Sequence, residues 1–343
     1  MSITQKELAR RLAVSQVTVS RALRGSKGVS EDLRRTIMAK ATEMGYSIFA
    51  SNHEARMMRS RACGVEAATN VICVVGDRRA DEGQHSFSGR IFRGISDEAE
   101  ALGLETVMAG HFHGDFPLLV RRGQVDGAVC MLGDTDIAKL PAAGPVPCVS
   151  LFYDLPGADL VTVDNAAGAQ AVGRYLCRQG HRRIAFIGPD TDLARERLAG
   201  LRQAAGECGA EVPDDFVAIR PYAVHVGTTR EVMERLVDGA PVRFTALMAY
   251  NDYMAAVAIQ WLREKGKRVP ADISVAGYDG ALPDALGGPR ITTAAIPLEQ
   301  VGAEAIRLLS WRIHNPGAVR RRVVLEPEFV AGETVGPLRM SAE

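Results

Sequence analysis

No run of roughly 18 or more uncharged apolar residues occurs in this 343-residue chain, and its first residues, MSITQKELARRL, carry no apolar stretch behind their charges. Those two absences exclude a membrane-spanning helix and a secretory leader, so a soluble cytoplasmic protein is expected. Six cysteines, Cys63, Cys73, Cys130, Cys148, Cys177 and Cys208, are scattered with no C-x-x-C pair and no histidine at finger-like spacing. Neither a zinc site nor a disulfide framework is indicated, and reduced thiols are expected. Of the seven histidines only His111 and His113 fall together, in a segment read as polar surface. There is no G-x-G-x-x-G after a strand, no Walker A sequence, no G-x-S-x-G and no H-E-x-x-H. Enzyme signatures of those kinds are absent, and no cofactor or metal is called for.

The formal net charge is zero, but it is unevenly spread. Residues 1–61 hold twelve Lys and Arg against five Asp and Glu, a net of +7, leaving −7 for the remainder. A basic head on an acidic body suggests a polyanionic partner for the head alone.

Three short helical patterns fill that head. Lys6 to Leu12 places Leu8, Ala9 and Leu12 on one face; Ser15 can cap a second helix with Val19, Ala22 and Leu23 inward; Ser30 can cap a third carrying Leu33, Ile37, Ala41 and Met44. Glu31 and Asp32 in the third helix's first turn and Gly45 past its end suit the helix dipole and the C-terminal cap. Each helix is too short to persist alone, so the three must pack together. After a polar connector the period changes. Apolar β-branched runs at 71–75, 127–132, 160–163, 183–188, 244–250 and 273–278 alternate with helical stretches such as AAGAQAVGRYLCRQG and YMAAVAIQWLREKG. That alternation predicts parallel sheets covered by helices on both faces, over a length better suited to two lobes with a cleft than to one sheet.

Val14 to Arg21 followed by Leu23, with Gly45-Tyr46, resembles the helix-turn-helix of the lac-repressor (LacI) family of transcription regulators. The resemblance continues in order through VTVDNAAGAQAVGRYLCRQGHRRIAFIG (161–188), ERLAGLRQA (196–204), YNDYMAAVAIQWLREKGKRVPADISVAGYDG (250–280) and ITTAAIPLEQVGAEA (291–305), which spans nearly the whole chain. It implies an α/β protein: a three-helix DNA-binding head at 1–46, a linker at 47–69 with a hinge helix near 52–61, and a two-lobed core at 70–343. That core, similar to periplasmic binding proteins, dimerises and takes a small effector between lobes at about 70–164 with 297–326 and 165–296 with 327–340. The expected activity is operator binding by a homodimer, with repression the expected sign and a sugar or sugar derivative the expected effector. The alternatives are a stand-alone sugar-binding protein, which the basic head and missing leader oppose, and a nucleotide-dependent enzyme, which the missing motifs oppose. After Val330 no leucine heptads remain to build a tetramer, so a dimer on a pseudo-palindromic operator is expected.

Within the head, Gln16, Val17 and Arg21 match the family's base-contacting positions, chemistry suited to adenine, a thymine methyl and guanine respectively. Ser15, Thr18, Arg24 and Ser30 are better placed for phosphates. NHEARMMRSR (52–61) matches the family's hinge pattern through Asn52, Ala55, Arg56 and Met58. Ten residues hold no helix in water, so this one is expected to fold on DNA, with Met58 wedging the minor groove and Arg56 and Arg59 near phosphates. Two departures stand out. Ala13 replaces the usual turn glycine, and Asn52 lies six residues after Tyr46, three more than the family spacing, with Ser51 where a proline is usual. In the core, Arg197, Asn251 and Asp279 match the family's effector-gripping positions, and Phe87, Asp154 and Tyr222 are further candidates. Guanidinium, amide and carboxylate together serve the donors and acceptors of vicinal hydroxyls. Each also has a plainer reading, with Asn251 and Asp279 as helix caps and Arg197 at the surface. If the three grip the effector through charge-assisted hydrogen bonds, Arg197→Ala is expected to abolish the effector response and leave the effector-free stability near wild type.

Overall fold

The computed structural model describes residues 5–12, 14–23, 29–30, 33–34, 36–37, 40, 69–76, 87–110, 115–133, 140, 146–221, 226–237, 244–282 and 288–338. The chain divides into two compact units, Met1–Thr69 and Asn70–Glu343. The expectations placed on Ala13, Arg24, Asn52, Ala55, Arg56, Met58, Arg59 and Tyr222 lie outside the described residues.

In the first unit α1 (Gln5–Arg11) and α2 (Gln16–Leu23) flank the turn, and residues 33–34, 36–37 and 40 are helical. The helices are short, but Leu8, Ala9, Val19, Ala22 and Ile37 are buried together, and this shared apolar cluster supplies the stability that no single helix has. Glu7 holds Arg10 and Arg11 across one turn of α1, pairs exposed enough to add little.

The second unit is built from β1 (Val71–Gly76), α3 (Phe87–Ala101), β2 (Glu105–Gly110), α4 (Leu118–Arg121), β3 (Gly127–Met131), β4 (Cys148–Leu151) and β5 (Asp159–Val163). There follow α5 (Asn165–Arg178), β6 (Ile184–Pro189), α6 (Asp192–Glu207), β7 (Val217–Arg220), α7 (Val226–Val237), β8 (Ala246–Ala249), α8 (Asp252–Glu264) and β9 (Ser274–Ala276). The last elements are β10 (Thr293–Ala295), α9 (Leu298–His314), β11 (Arg322–Leu325) and β12 (Glu328–Val330). One parallel sheet runs β11-β5-β4-β3-β1-β2 and the other β7-β6-β8-β9. Central strands such as β3 and β6 are buried throughout, as strands covered on both faces must be, whereas edge strand β2 is half-exposed. A short antiparallel pair, β10 with β12, lies where the chain passes between the sheets, beyond the parallel strands that the sequence predicts.

Each sheet has a switch point, a strand whose neighbours lead off in opposite directions. These are β1, between β2 and β3, and β6, between β7 and β8. Ligand crevices form at the carboxyl ends of such strands. Helix packing holds the two ends in place. Gly94 of α3 lies so close to α9 that a Cβ would sit 1.9 Å from the Glu299 carbonyl oxygen. Beside it Arg90 forks onto the Glu299 carboxylate at 2.8 Å and donates to the Gly280 carbonyl at 3.0 Å, tying the start of α3 to the residue after Asp279. His181 is buried between β9 and the C-terminal segment. Its Nε2 donates to the Gly336 carbonyl at 3.1 Å and its Nδ1 lies 3.0 Å from Thr245 Oγ1, which fixes a neutral tautomer that burial favours by lowering its pKa.

Candidate functional site

In the head, α2 starts at Ser15, whose Oγ accepts from Thr18 N at 3.0 Å and sits 2.8 Å from Thr18 Oγ1. The Ser15 hydroxyl caps the helix and the Thr18 hydroxyl bonds to it, and any phosphate contact they make is additional. Val19 and Ala22 turn inward, while Gln16, Val17 and Arg21 are exposed, Val17 by 59%. A valine side chain left that open on a helix is unfavourable in water and useful against a thymine methyl. Val17 and Arg21 are one turn apart on the same face. Ser30 Oγ accepts from Leu33 N at 3.4 Å and starts the next helical residues.

In the second unit the site assembles around Arg197, which α6 carries into the space beyond the ends of β6 and β8. The side chain is 3% exposed. Its Nε donates to Asn165 Oδ1 at 2.9 Å and its Nη1 to the Tyr250 carbonyl at 2.6 Å. Nη1 also pairs with Asp279 Oδ1 at 3.0 Å, without the alignment of a hydrogen bond. The guanidinium is stacked on two rings, 3.7 Å from the Tyr278 centroid and 4.4 Å from that of Tyr250. Burial opposes the charge on Arg197, but the Asp279 carboxylate and the flanking phenols hold it protonated. Burial raises the Asp279 pKa, an effect that Arg197 partly cancels. Asp279 has φ +99°, a conformation that costs a non-glycine residue energy and recurs at ligand sites. Among the described residues, Nη2 of Arg197 has no hydrogen-bond partner.

The first sheet contributes aromatic residues. Phe87 opens α3, beyond β1, and packs on Phe152 with ring centroids 5.5 Å apart. Tyr153 follows and shares a hydrogen bond with the Tyr250 phenol of the second sheet, which Thr191 also reaches; burial holds that phenol above its usual pKa. Of the residues expected from sequence, Arg197 and Asp279 are in contact and Phe87 lies at the matching end of the other sheet. Asn251 is the N-cap of α8, its Oδ1 accepting from Met254 N at 2.9 Å, so the plainer reading holds for that oxygen. Asp154 is an exposed carboxylate bound to Arg320 at 2.6 Å and is not brought to Arg197. The surface reading of Arg197 is overturned by its burial, and its ion pair with Asp279 and its bonds to Asn165 and Tyr250 oppose the separate expectation that Arg197→Ala leaves stability near wild type. Asn165, Tyr153, Tyr250 and Tyr278 escaped the sequence reading because they come from four separate segments.

A cavity of about 510 Å³ lies between α8 and the β10–β12 pair, with Ile259, Arg263, Ile291 and Val330 in its wall. Asp252 reaches that wall with 3% exposure, and its Oδ1 is unpaired among the described residues. Burial and then the Asp279 charge push its pKa up to about 7. A carboxyl raised in the folded state stabilises the fold when protonated, and the benefit is lost as pH rises from its ordinary 3.8 to about 7. Asp252→Asn should therefore raise the melting temperature above pH 7 and give little gain near pH 4; an equal gain at both would show that the carboxylate carries no penalty. His181 acts at the opposite end, since a lowered pKa costs stability as pH falls below its ordinary 6.5.

No helix among the described residues is long and apolar enough to cross a membrane. Residues 4–47 match the bacterial regulatory proteins of the lacI family, and residues 174–335 match the periplasmic binding protein-like domain. The HTH-type transcriptional regulator DegA of Bacillus subtilis is 27% identical over 98% of this chain and 99% of its own length. The HTH-type transcriptional regulator Rv3575c of Mycobacterium tuberculosis is 30% identical, with 97% of each chain covered. The solved complex of the transcriptional regulator CelR with cellobiose superposes with a TM-score of 0.67 at 26% identity, over 97% of this chain and 99% of that one. These similarities run through head and core together, which a stand-alone binding protein or an enzyme on the same core would not give. With the capped α2 presenting Gln16, Val17 and Arg21 and the two parallel sheets meeting at Arg197, they establish the chain as a member of the lacI family of DNA-binding transcriptional regulators.

Proposed function

We propose that the chain is a homodimeric cytoplasmic repressor whose grip on a pseudo-palindromic operator is set by a small polyhydroxylated effector, a sugar or sugar derivative, held between its lobes. The observation that carries this reading is the Arg197 cage. A guanidinium stacked between two tyrosines, with Nη2 unpaired among the described residues and Asp279 Oδ1 lacking a directed donor, offers a donor and an acceptor side by side, the pattern that adjacent hydroxyls satisfy. Phe87 and Phe152 supply an apolar face for a sugar ring. Tyr222 and the Asn251 amide are assigned outer positions around it, and Asp154, held by Arg320, is left out of it. That CelR is solved with cellobiose supports a carbohydrate as the first class to test. In this reading the lobes are 70–164 with 297–326 and 165–296 with 327–340, and Arg90 links them beside Asp279.

At the DNA, Gln16, Val17 and Arg21 read bases from the major groove, and Ser15, Thr18, Arg24 and Ser30 meet phosphates. The hinge at 52–61 folds at the operator centre with Asn52, Ala55 and Met58 in the minor groove and Arg56 and Arg59 on the backbone. Arg21→Ala should weaken cognate binding by about 1–3 kcal/mol and relax preference at one base pair. Equal weakening on random duplex would make Arg21 a phosphate contact. A thermal-shift screen of sugars, sugar acids and sugar phosphates tests the effector class. A ligand at 100 times its Kd stabilises by about 2.7 kcal/mol, so a true effector raises the melting temperature by several degrees. Stabilisation by nucleobases alone would move the effector to another class.

A further inference from the structure

Cys177 and Cys208 are free thiols, the first buried in the last turn of α5 and the second exposed just past the end of α6. The two helices lie side by side in a fixed register. Gln170 donates to Gln203 at 2.9 Å and Arg174 pairs with Glu207 at 3.0 Å. Between those contacts the backbones come very close, since a Cβ on Gly173 would lie 2.9 Å from the Cβ of Ala204. One helical turn beyond Gly173 is Cys177, and one turn beyond Ala204 is Cys208. The register therefore sets the two sulfurs opposite each other.

We infer that Cys177 and Cys208 form a redox-responsive pair that closes to an intramolecular disulfide when a low-molecular-weight disulfide is the oxidant. The helix register brings the two side chains together, and burial, then the Cys208 neighbour, pushes Cys177 up to about 11. Exposed Cys208 is thus the sulfur that meets the oxidant. Its thiolate attacks one sulfur of the small disulfide and expels one small thiolate, leaving a mixed disulfide on Cys208. Cys177 gives its proton to water, its sulfur attacks that of Cys208, and the second small thiolate leaves. Two electrons and two protons pass from the cysteine pair, and one small disulfide becomes two thiols. The same helices carry Asn165 and Arg197 at their other ends, so the bond fixes the register on which the Arg197 cage depends.

Treatment of the full chain with oxidised glutathione, followed by alkylation and peptide mapping, tests this. The expected product is a chain lighter by two hydrogens, with the Cys177 peptide joined to the Cys208 peptide, alkylation of Cys208 lost, and both reversed by dithiothreitol. Cys177→Ser should stop at a glutathione adduct on Cys208, and Cys208→Ser should form no disulfide at Cys177. The inference is overturned if the wild-type chain also stops at the adduct, or if Cys208 joins Cys63 or a second chain instead.

Discussion

Replacing Arg197 with alanine is expected to lower the melting temperature by on the order of 10 °C and to erase the effector response. The two losses have different origins. Truncation leaves the buried Asp279 carboxylate without its counter-charge, and breaking a buried ion pair from one side costs about 3–5 kcal/mol. It also strands Asn165 Oδ1 and the Tyr250 carbonyl, both of which now accept from the guanidinium. Asp279 will take up a proton in response, since burial already raises its pKa, so the loss should be smaller in acid. The double change Arg197→Ala with Asp279→Asn separates the causes, recovering much of the stability with no recovery of the effector response. Wild-type stability in Arg197→Ala would mean that the pair is not buried in solution.

The second large effect is expected at Gly200, one turn after Arg197's neighbour Glu196 on α6. A Cβ there would lie 2.2 Å from the Ala166 carbonyl oxygen and 2.9 Å from the Ala166 Cα, both backbone atoms that cannot swing aside. Gly200→Ala must part α5 from α6, at a cost of about 1–3 kcal/mol. The displaced residue adjoins Asn165, whose 2.9 Å bond to Arg197 is set by that separation, so effector affinity should fall as well. Gly206 on the same helix is the control. Its Cβ would meet nothing within 4 Å, and Gly206→Ala should be neutral or stabilising by up to about 1 kcal/mol. If both variants match wild type in melting temperature, α5 and α6 do not make that close contact in solution.

Local signals in the sequence carried much of the fold. Ser15 caps α2 as its position before an apolar helical pattern implied, and the buried runs at 71–75, 127–132 and 183–188 became strands because fully covered parallel strands need continuous apolar sequence. Among the strands that escaped, β4 is buried throughout but only four residues long, and others lack the continuous apolar signal. β2 is an edge strand with no fully buried residue, and β10 and β12 are three residues each. At the site, Arg197 and Asp279 were legible through family likeness, but their burial was not, because it depends on Tyr250 and Tyr278 closing over the guanidinium from other segments. Asn251 shows the opposite limit. An Asn before a helix is equally a cap and a ligand anchor by sequence, and the Met254 amide decides for its oxygen.

The most direct measurement of the whole account is operator affinity with and without a ligand found by thermal shift, on a duplex selected from a random pool, for the wild-type chain and for Arg197→Lys. Lysine keeps the positive charge opposite Asp279 and removes the planar fork and its Nη2 donors. The wild-type affinity should change at least about tenfold on ligand saturation, a coupling of about 1.4 kcal/mol, while Arg197→Lys binds the same operator and does not respond. A wild-type affinity indifferent to a ligand that demonstrably binds between the lobes would contradict the account.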